Sequence, residues 1–203
     1  MIKQLSGGLM GSHTYVIYTE ESKRAMIIDC GVPVRKVTDF IKSNMLHVDY
    51  IVLTHGHYDH IDYIDKYISA FENAKILCHV DELKVLVDPM ANVSALFATP
   101  QKYDYSYTTV NEGDIISIGE NDKISFKIIH TPGHTPGSMC LLCEKDKVMI
   151  TGDTLFKGSY GRIDFKYGNI MDMYASLQRL LSLDPEITFY PGHGEASKIK
   201  YEV

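Results

Sequence analysis

Three of the chain's nine histidines and one aspartate fall inside six residues, His55-Gly56-His57-Tyr58-Asp59-His60. Imidazole nitrogens and carboxylate oxygens so close together are the donors of a divalent cation site, and they suit Zn²⁺, Fe or Mn. His55 and His57 are two apart, so an extended backbone turns both to one side, where they share one ion. Asp59 and His60 follow a bend toward a helix and aim at a second ion. The same residue types recur downstream, each beside glycine at the end of an apolar run. Thr131-Pro132-Gly133-His134-Thr135-Pro136-Gly137 holds a histidine in a stiff turn, Thr151-Gly152-Asp153-Thr154 an aspartate, and Pro191-Gly192-His193-Gly194 a further histidine. Glycine at such places lets the backbone crowd closely against a site.

These residues need strands to carry them. Residues 13–19 and 25–28 read as a hairpin, and 33–44 as a helix with Val37, Phe40 and Ile41 on one face and Pro33 in its first turn. The apolar run 50–53 has the pattern of a buried parallel strand and delivers the chain directly into the histidine motif. A helix over 61–71 and a strand over 75–78 complete a βαβ unit. Residues 89–107 are irregular, with three tyrosines at 103, 105 and 107; the alternatives are a solvated connection or a mobile flap over a site. Strands resume over 114–118, 124–129, 138–142 and 148–151, followed by a helix over 170–183 and a strand over 187–190. No repeat and no linker divides the chain, so 1–203 reads as one domain.

Composition removes several classes of function. The net charge is −6 and the basic residues are scattered, so nucleic acid is not an expected partner. No apolar run reaches a membrane span, and the first eight residues lack a secretory pattern, so a cytoplasmic protein with no membrane partner is expected. The cysteines Cys30, Cys78, Cys140 and Cys143 are sparse, as in a reducing compartment. Cys140 and Cys143 have CxxC spacing, but on a strand they point to opposite faces, so they read as packing residues and not as a metal knuckle. His13, His47 and His79 have no partner pattern and read as structural or solvated, and His130, just before the His134 turn, reads as a buried, hydrogen-bonded histidine.

In their order, the HxHxDH cluster, Gly133-His134, Gly152-Asp153 and Gly192-His193-Gly194 resemble the metallo-β-lactamase superfamily. Ile28-Asp29-Cys30-Gly31 fits its early Asp motif. Gly152-Asp153-Thr154-Leu155-Phe156 with Gly161-Arg162 is similar to the glyoxalase II-like branch, and Asp164 resembles the GRxD pattern of shorter glyoxalase-like proteins and persulfide dioxygenases. The resemblance runs from about residue 28 to 194. It implies an α/β fold, a four-layer αββα sandwich with metals at one sheet edge. It implies two divalent ions, zinc first with Fe or Mn as alternatives. One is held by His55, His57 and His134 and the other by Asp59, His60 and His193, with Asp153 bridging. Asp59 also serves as a catalytic proton acceptor, and Asp29 orients a ligand from behind. Arg162 binds a substrate carboxylate or pairs internally with Asp164. The activity implied is attack by a metal-bridging hydroxide on a thioester or related small acyl compound. The alternatives are a persulfide dioxygenase with one iron at His55, His134 and Asp153, or a lactonase or β-lactamase. The chain ends nine residues after Gly194. A counterpart of the C-terminal helical domain of full-length glyoxalase II is therefore not expected, which weighs against glutathione as the thiol. Substrate identity, oligomeric state and the role of 90–107 are not readable from the sequence.

Overall fold

Two six-stranded sheets lie face to face, and the alternation of side chains along their strands explains why. The computed structural model describes residues 1–202. The first sheet runs, in spatial order, β1 (Ile2–Ser6), β2 (His13–Tyr18), β3 (Arg24–Ile28), β4 (His47–Val52), β5 (Lys75–His79) and β6 (Thr108–Val110). Its first three strands are antiparallel and its last four parallel. The second sheet begins with β7 (Ile115–Ile118), β8 (Ile124–His130), β9 (Met139–Cys143) and β10 (Val148–Gly152). A small separate hairpin follows, β11 (Leu155–Phe156) with β12 (Ser159–Tyr160). The sheet is completed beside β10 by β13 (Thr188–Pro191), parallel to it, and then β14 (Ser197–Lys198).

Met26 and Ile28 of β3 face Phe126, Ile128 and Leu141 of the second sheet, whereas Ala25 and Ile27 face outward. The outward layer packs on α1 (Val34–Ser43) through Val37 and Ile41. Residues 58–70 form α2 (Tyr58–Ile61) and α3 (Ile64–Ala70), and Ile64 and Tyr67 complete that layer. Two short helices follow, α4 (Leu83–Leu86) and α5 (Ser94–Phe97). On the far side, Cys140, Leu142, Met149 and Phe189 pack with Leu180 of α6 (Ile170–Leu181). Each such aliphatic side chain contributes roughly 1.5–3 kcal/mol by leaving water. The layers are therefore α, β, β, α, as expected. Cys140 lies in the outer layer and Cys143 between the sheets, and all four cysteines are buried thiols.

Three departures from the sequence reading have local causes. The helix expected over 61–71 starts earlier, at Tyr58, and breaks at Asp62–Tyr63. At the break, the Cys30 amide donates to the His60 carbonyl and the Tyr63 amide donates to the Cys30 carbonyl, so the chain leans on the β3 turn instead of continuing its own ladder. The segment 89–107 is pinned at several points, although residues 96–102 and 104–106 are exposed. Asn92 donates its amide to the carbonyls of Leu86 (3.1 Å) and Gln101 (2.9 Å), and Tyr103 is buried. The strands β1, β6 and β14 are short or at sheet ends and carry little periodic signal.

Candidate metal centre

Four strand ends meet at one edge of the sandwich. β4 ends at Val52 and leads through a bend at Thr54 to His55 and the extended His57, after which α2 opens with Asp59 and His60 in its first turn. β8 leads to the turn with His134, β10 to Asp153, and β13 to His193. The His134 turn passes so near α6 that Gly133, at φ +139°, has the Met173 backbone 2.4 Å from where a Cβ would stand. The Gly192 amide donates to the Gly152 carbonyl (2.8 Å), locking the Asp153 and His193 loops together.

All seven expected ligands come together. Donor atoms of His55, His57 and His134 lie within 4.8 Å of one another, and so do those of Asp59, His60 and His193. Asp153 stands between the groups. Its Oδ1 is 3.3 Å from His60 Nε2, and its Oδ2 is 3.6 Å from His134 Nε2 and 3.5 Å from His193 Nε2. Asp59 Oδ2 is 3.0 Å from His193 Nε2.

Partners behind the rings set which nitrogen faces inward. His60 Nδ1 donates to Asp29 Oδ2 (2.9 Å). His55 Nδ1 donates to Thr54 Oγ1 (3.1 Å), whose proton goes to the same Asp29 oxygen (2.8 Å). His134 Nδ1 donates to the Arg162 carbonyl (2.7 Å). These three rings thus present Nε2 to the centre. His57 is turned the other way, with Nδ1 2.8 Å from His134 Nε2. Inward nitrogens also meet at 3.3 Å (His134 and His55) and 3.1 Å (His60 and His193). In each of these pairs one proton can be shared between the two nitrogens, and a cation among them would take the place of those protons. Asp153 Oδ1 is buried with no hydrogen-bond partner, which points toward such a cation. The donor set fits divalent metal.

Electrostatics divide the rings: against burial, Asp153 and Asp59 hold His60 well above the usual histidine range and also hold His193 above it, so these two carry protons that a cation would displace. Burial, reinforced by neighbouring imidazoles, holds His55 and His57 well below the usual histidine range, so both are neutral and have a lone pair to give. Burial opposes charge on Asp153, yet the adjacent His60 outweighs it and holds the carboxyl well below its usual range. Asp59 is likewise held down, by His60 and His193 against burial.

One supporting residue escaped the sequence reading. Glu82, fully buried after β5, accepts the Gly56 amide on Oε1 (2.7 Å) and the Thr135 hydroxyl and Gly137 amide on Oε2 (2.8 Å each). It therefore joins the loop of His55 and His57 to the loop of His134. Burial pushes its carboxyl up to about 7, against the three hydrogen bonds. Its only sequence signal is the acidic pair Asp81-Glu82 shortly after an apolar strand, and such pairs are common on surfaces.

The remaining candidates take lesser places. His13 Nε2 donates to the Gly194 carbonyl (2.9 Å), steadying the His193 turn. His79 and His130 stack at 3.8 Å, apart from the seven ligands. The Arg162 guanidinium forks onto Asp164 through two 2.7 Å bonds and lies 3.9 Å over the Phe165 ring. It lines a cavity of about 470 Å³ together with His57, Asp59, His134, Asp153 and His193.

Comparison with known proteins agrees with this geometry. Residues 7–193 match the family model described as the metallo-beta-lactamase superfamily. The hydroxyacylglutathione hydrolase GloC of Haemophilus influenzae is 31% identical over 186 residues, covering 90% of this chain and 86% of that protein. Among solved structures, the BLEG-1 B3 metallo-beta-lactamase superposes with a TM-score of 0.88 at 31% identity, covering 100% of this chain and 96% of that one. TTHA1623, solved in a di-iron-bound form, does so with a TM-score of 0.84 at 27% identity, over 98% and 96%. Motif order, layer architecture and the extent of these matches agree: the chain belongs to the metallo-beta-lactamase superfamily.

Proposed function

We propose that this protein is a dinuclear metallohydrolase that cleaves a thioester or related small acyl compound. The observation that carries the reading is Asp153, whose unpartnered Oδ1 lies 3.3 Å from His60 Nε2 and whose Oδ2 lies 3.6 Å from His134 Nε2, so that it reaches both ligand groups beside an open cavity. His55, His57 and His134 would hold one ion, and Asp59, His60 and His193 the other. When bound, the ions lower the pKa of water and polarise a carbonyl. The chain's own residues do the rest. Asp153 fixes the spacing of the two ligand groups. Asp59, at the cavity surface, takes the proton that water loses on attack. Phe156 and Phe165 screen the reacting carbonyl from bulk solvent. Zinc is the first choice of metal for neutral imidazoles and carboxylates.

The test is elemental analysis of protein purified without added metal, followed by hydrolysis assays on thioesters, lactones and β-lactams. Two equivalents of zinc with thioester turnover support the reading; metal-replete protein inert to all three classes overturns it. One observation favours a second reading. A neighbour at 27% identity was solved with two irons, which makes iron an alternative metal for these donors, and a single iron at His55, His134 and Asp153 would suit a persulfide dioxygenase. Iron content with oxygen uptake on persulfide selects that reading instead.

A further inference from the structure

The walls over the centre are of one chemical kind. Phe165 stands edge-on to His57 at 5.6 Å, and Phe97 edge-on to Phe165 at 6.0 Å. Across the opening, Phe156 stands edge-on to His193 at 6.1 Å, with Tyr160 on the paired strand and Met10 beside the same cavity. Four separate chain segments thus converge apolar side chains over both ligand groups. Met10, Phe97 and Tyr160 remain 55%, 46% and 45% exposed. Large apolar side chains clustered in the open at a concave site mark where a ligand's apolar part lies.

Charge points the same way. Arg162 is the cation lining this cavity, and its fork is already filled by Asp164 while its face is covered by Phe165. The lysines that follow the two wall phenylalanines are also paired, Lys157 with Glu195 (2.6 Å) and Lys166 with Asp88 (2.5 Å). An incoming carboxylate must therefore displace a resident one instead of meeting a free cation.

We propose that the substrate is an acyl compound with an uncharged apolar chain seated among Met10, Phe97, Phe156, Tyr160 and Phe165, and that Asp164, by occupying Arg162, selects against leaving groups that carry carboxylates. This rests on the hydrolase reading above. In the reaction, water adds to the acyl carbon, the carbon–sulfur or carbon–oxygen bond breaks, and water's proton ends on the departing thiol or alcohol. An acid and a neutral thiol or alcohol result, with no change of oxidation state.

The test uses the full metal-loaded chain and four thioesters, acetyl and hexanoyl on N-acetylcysteamine and on glutathione. The hexanoyl compound should exceed the acetyl in kcat/KM by roughly tenfold or more, since a methylene in an apolar pocket discriminates strongly. The uncharged thiol should exceed glutathione by roughly fivefold. Phe97→Ala should lower the hexanoyl value more than the acetyl value, and Asp164→Asn should raise the glutathione-to-neutral ratio several-fold. Calorimetric binding of S-hexylglutathione and of an uncharged hexyl thioether gives a readout without turnover, with the neutral compound expected to bind tighter. Preference for glutathione in turnover and binding, or indifference to chain length, overturns the inference while leaving the hydrolase reading intact. Absence of turnover on all four, with the neutral compound still bound tighter, overturns the hydrolase reading and leaves the pocket's preference standing.

Discussion

His60 and Asp29 meet at 2.9 Å, Nδ1 to Oδ2, entirely out of contact with solvent. Asp29 sits in the left-handed region at φ +62°, uncommon for residues other than glycine but adopted more readily by asparagine and aspartate than by most, and it turns the chain just after β3. That turn aims one carboxylate at three donors: the Thr54 amide, the Thr54 hydroxyl and His60. Through Thr54 it also fixes His55. One residue behind the ligands thus sets the ring tautomer in both groups. Asp29→Ala is expected to lower metal affinity by roughly 10- to 100-fold with the ligands unchanged. Titration against a chromophoric chelator measures this, and affinity equal to wild type would remove the orienting role.

Asp153 stands where the two ligand groups touch. Asp153→Ala takes away the shared carboxylate and leaves five imidazoles and Asp59 to carry the charge of two ions. The variant is expected to hold at most one metal equivalent and to lose turnover altogether. Elemental analysis and the thioester assay on one preparation decide it. A fully loaded, fully active variant rules out the bridging assignment.

The seven candidate ligands could be picked out in the sequence because each lies within a short local pattern. His55, His57, Asp59 and His60 are legible from spacing alone, and His134, Asp153 and His193 from glycine-flanked turns after apolar runs. Alternation along β3 and β9 likewise made the two-sheet core legible. Glu82 was not, because its partners Gly56, Thr135 and Gly137 come from distant loops and offer only backbone amides and a hydroxyl. The break between α2 and α3 was hidden for a similar reason, since the Cys30 backbone causes it. The placement of Val93 and Phe97 in the cavity wall depends on the Asn92 side chain pinning its own loop, which no periodicity reports. Contacts between residues far apart in the chain, made by unremarkable residue types, leave no pattern to read.

Glu82 gives a stability prediction with a defined sign. Its folded carboxyl is raised to about 7 from an ordinary 4.5, so the folded state binds its proton more tightly. The stabilisation this brings is complete below pH 4.5 and disappears as pH rises through 7, a span on the order of 3 kcal/mol for a fully buried group. Glu82→Gln abolishes the titration, so the stability of wild type relative to this variant should fall between pH 4.5 and 7. Denaturant unfolding across that range measures it, and parallel pH profiles for the two proteins contradict it. Glu82→Ala leaves three buried donors unpaired, each costing about 1–3 kcal/mol, and should lower Tm at every pH.

Gly192 tests how closely the two later loops must approach. A Cβ there would lie 2.2 Å from Asp153 Oδ1 and 2.6 Å from His60 Cε1. Neither neighbour yields cheaply. The Asp153 loop is held by the Gly192–Gly152 hydrogen bond, and the His60 ring is clamped between Asp29 and the centre. Gly192→Ala therefore pushes Asp153 off its place between the ligand groups. The body of the sheet is spared, because Val148, Met149 and Ile150 pair with Thr188, Phe189 and Tyr190 and only the last pair, Gly152 with Pro191, adjoins the clash. The expected result is a folded protein with a wild-type far-ultraviolet spectrum. It binds its second metal equivalent at least tenfold more weakly, since ligands displaced by even an ångström lose the geometry that a two-ion site demands. The reverse pattern, unfolding with metal affinity retained in the folded fraction, would place the need for glycine in the strand turn and not in the centre.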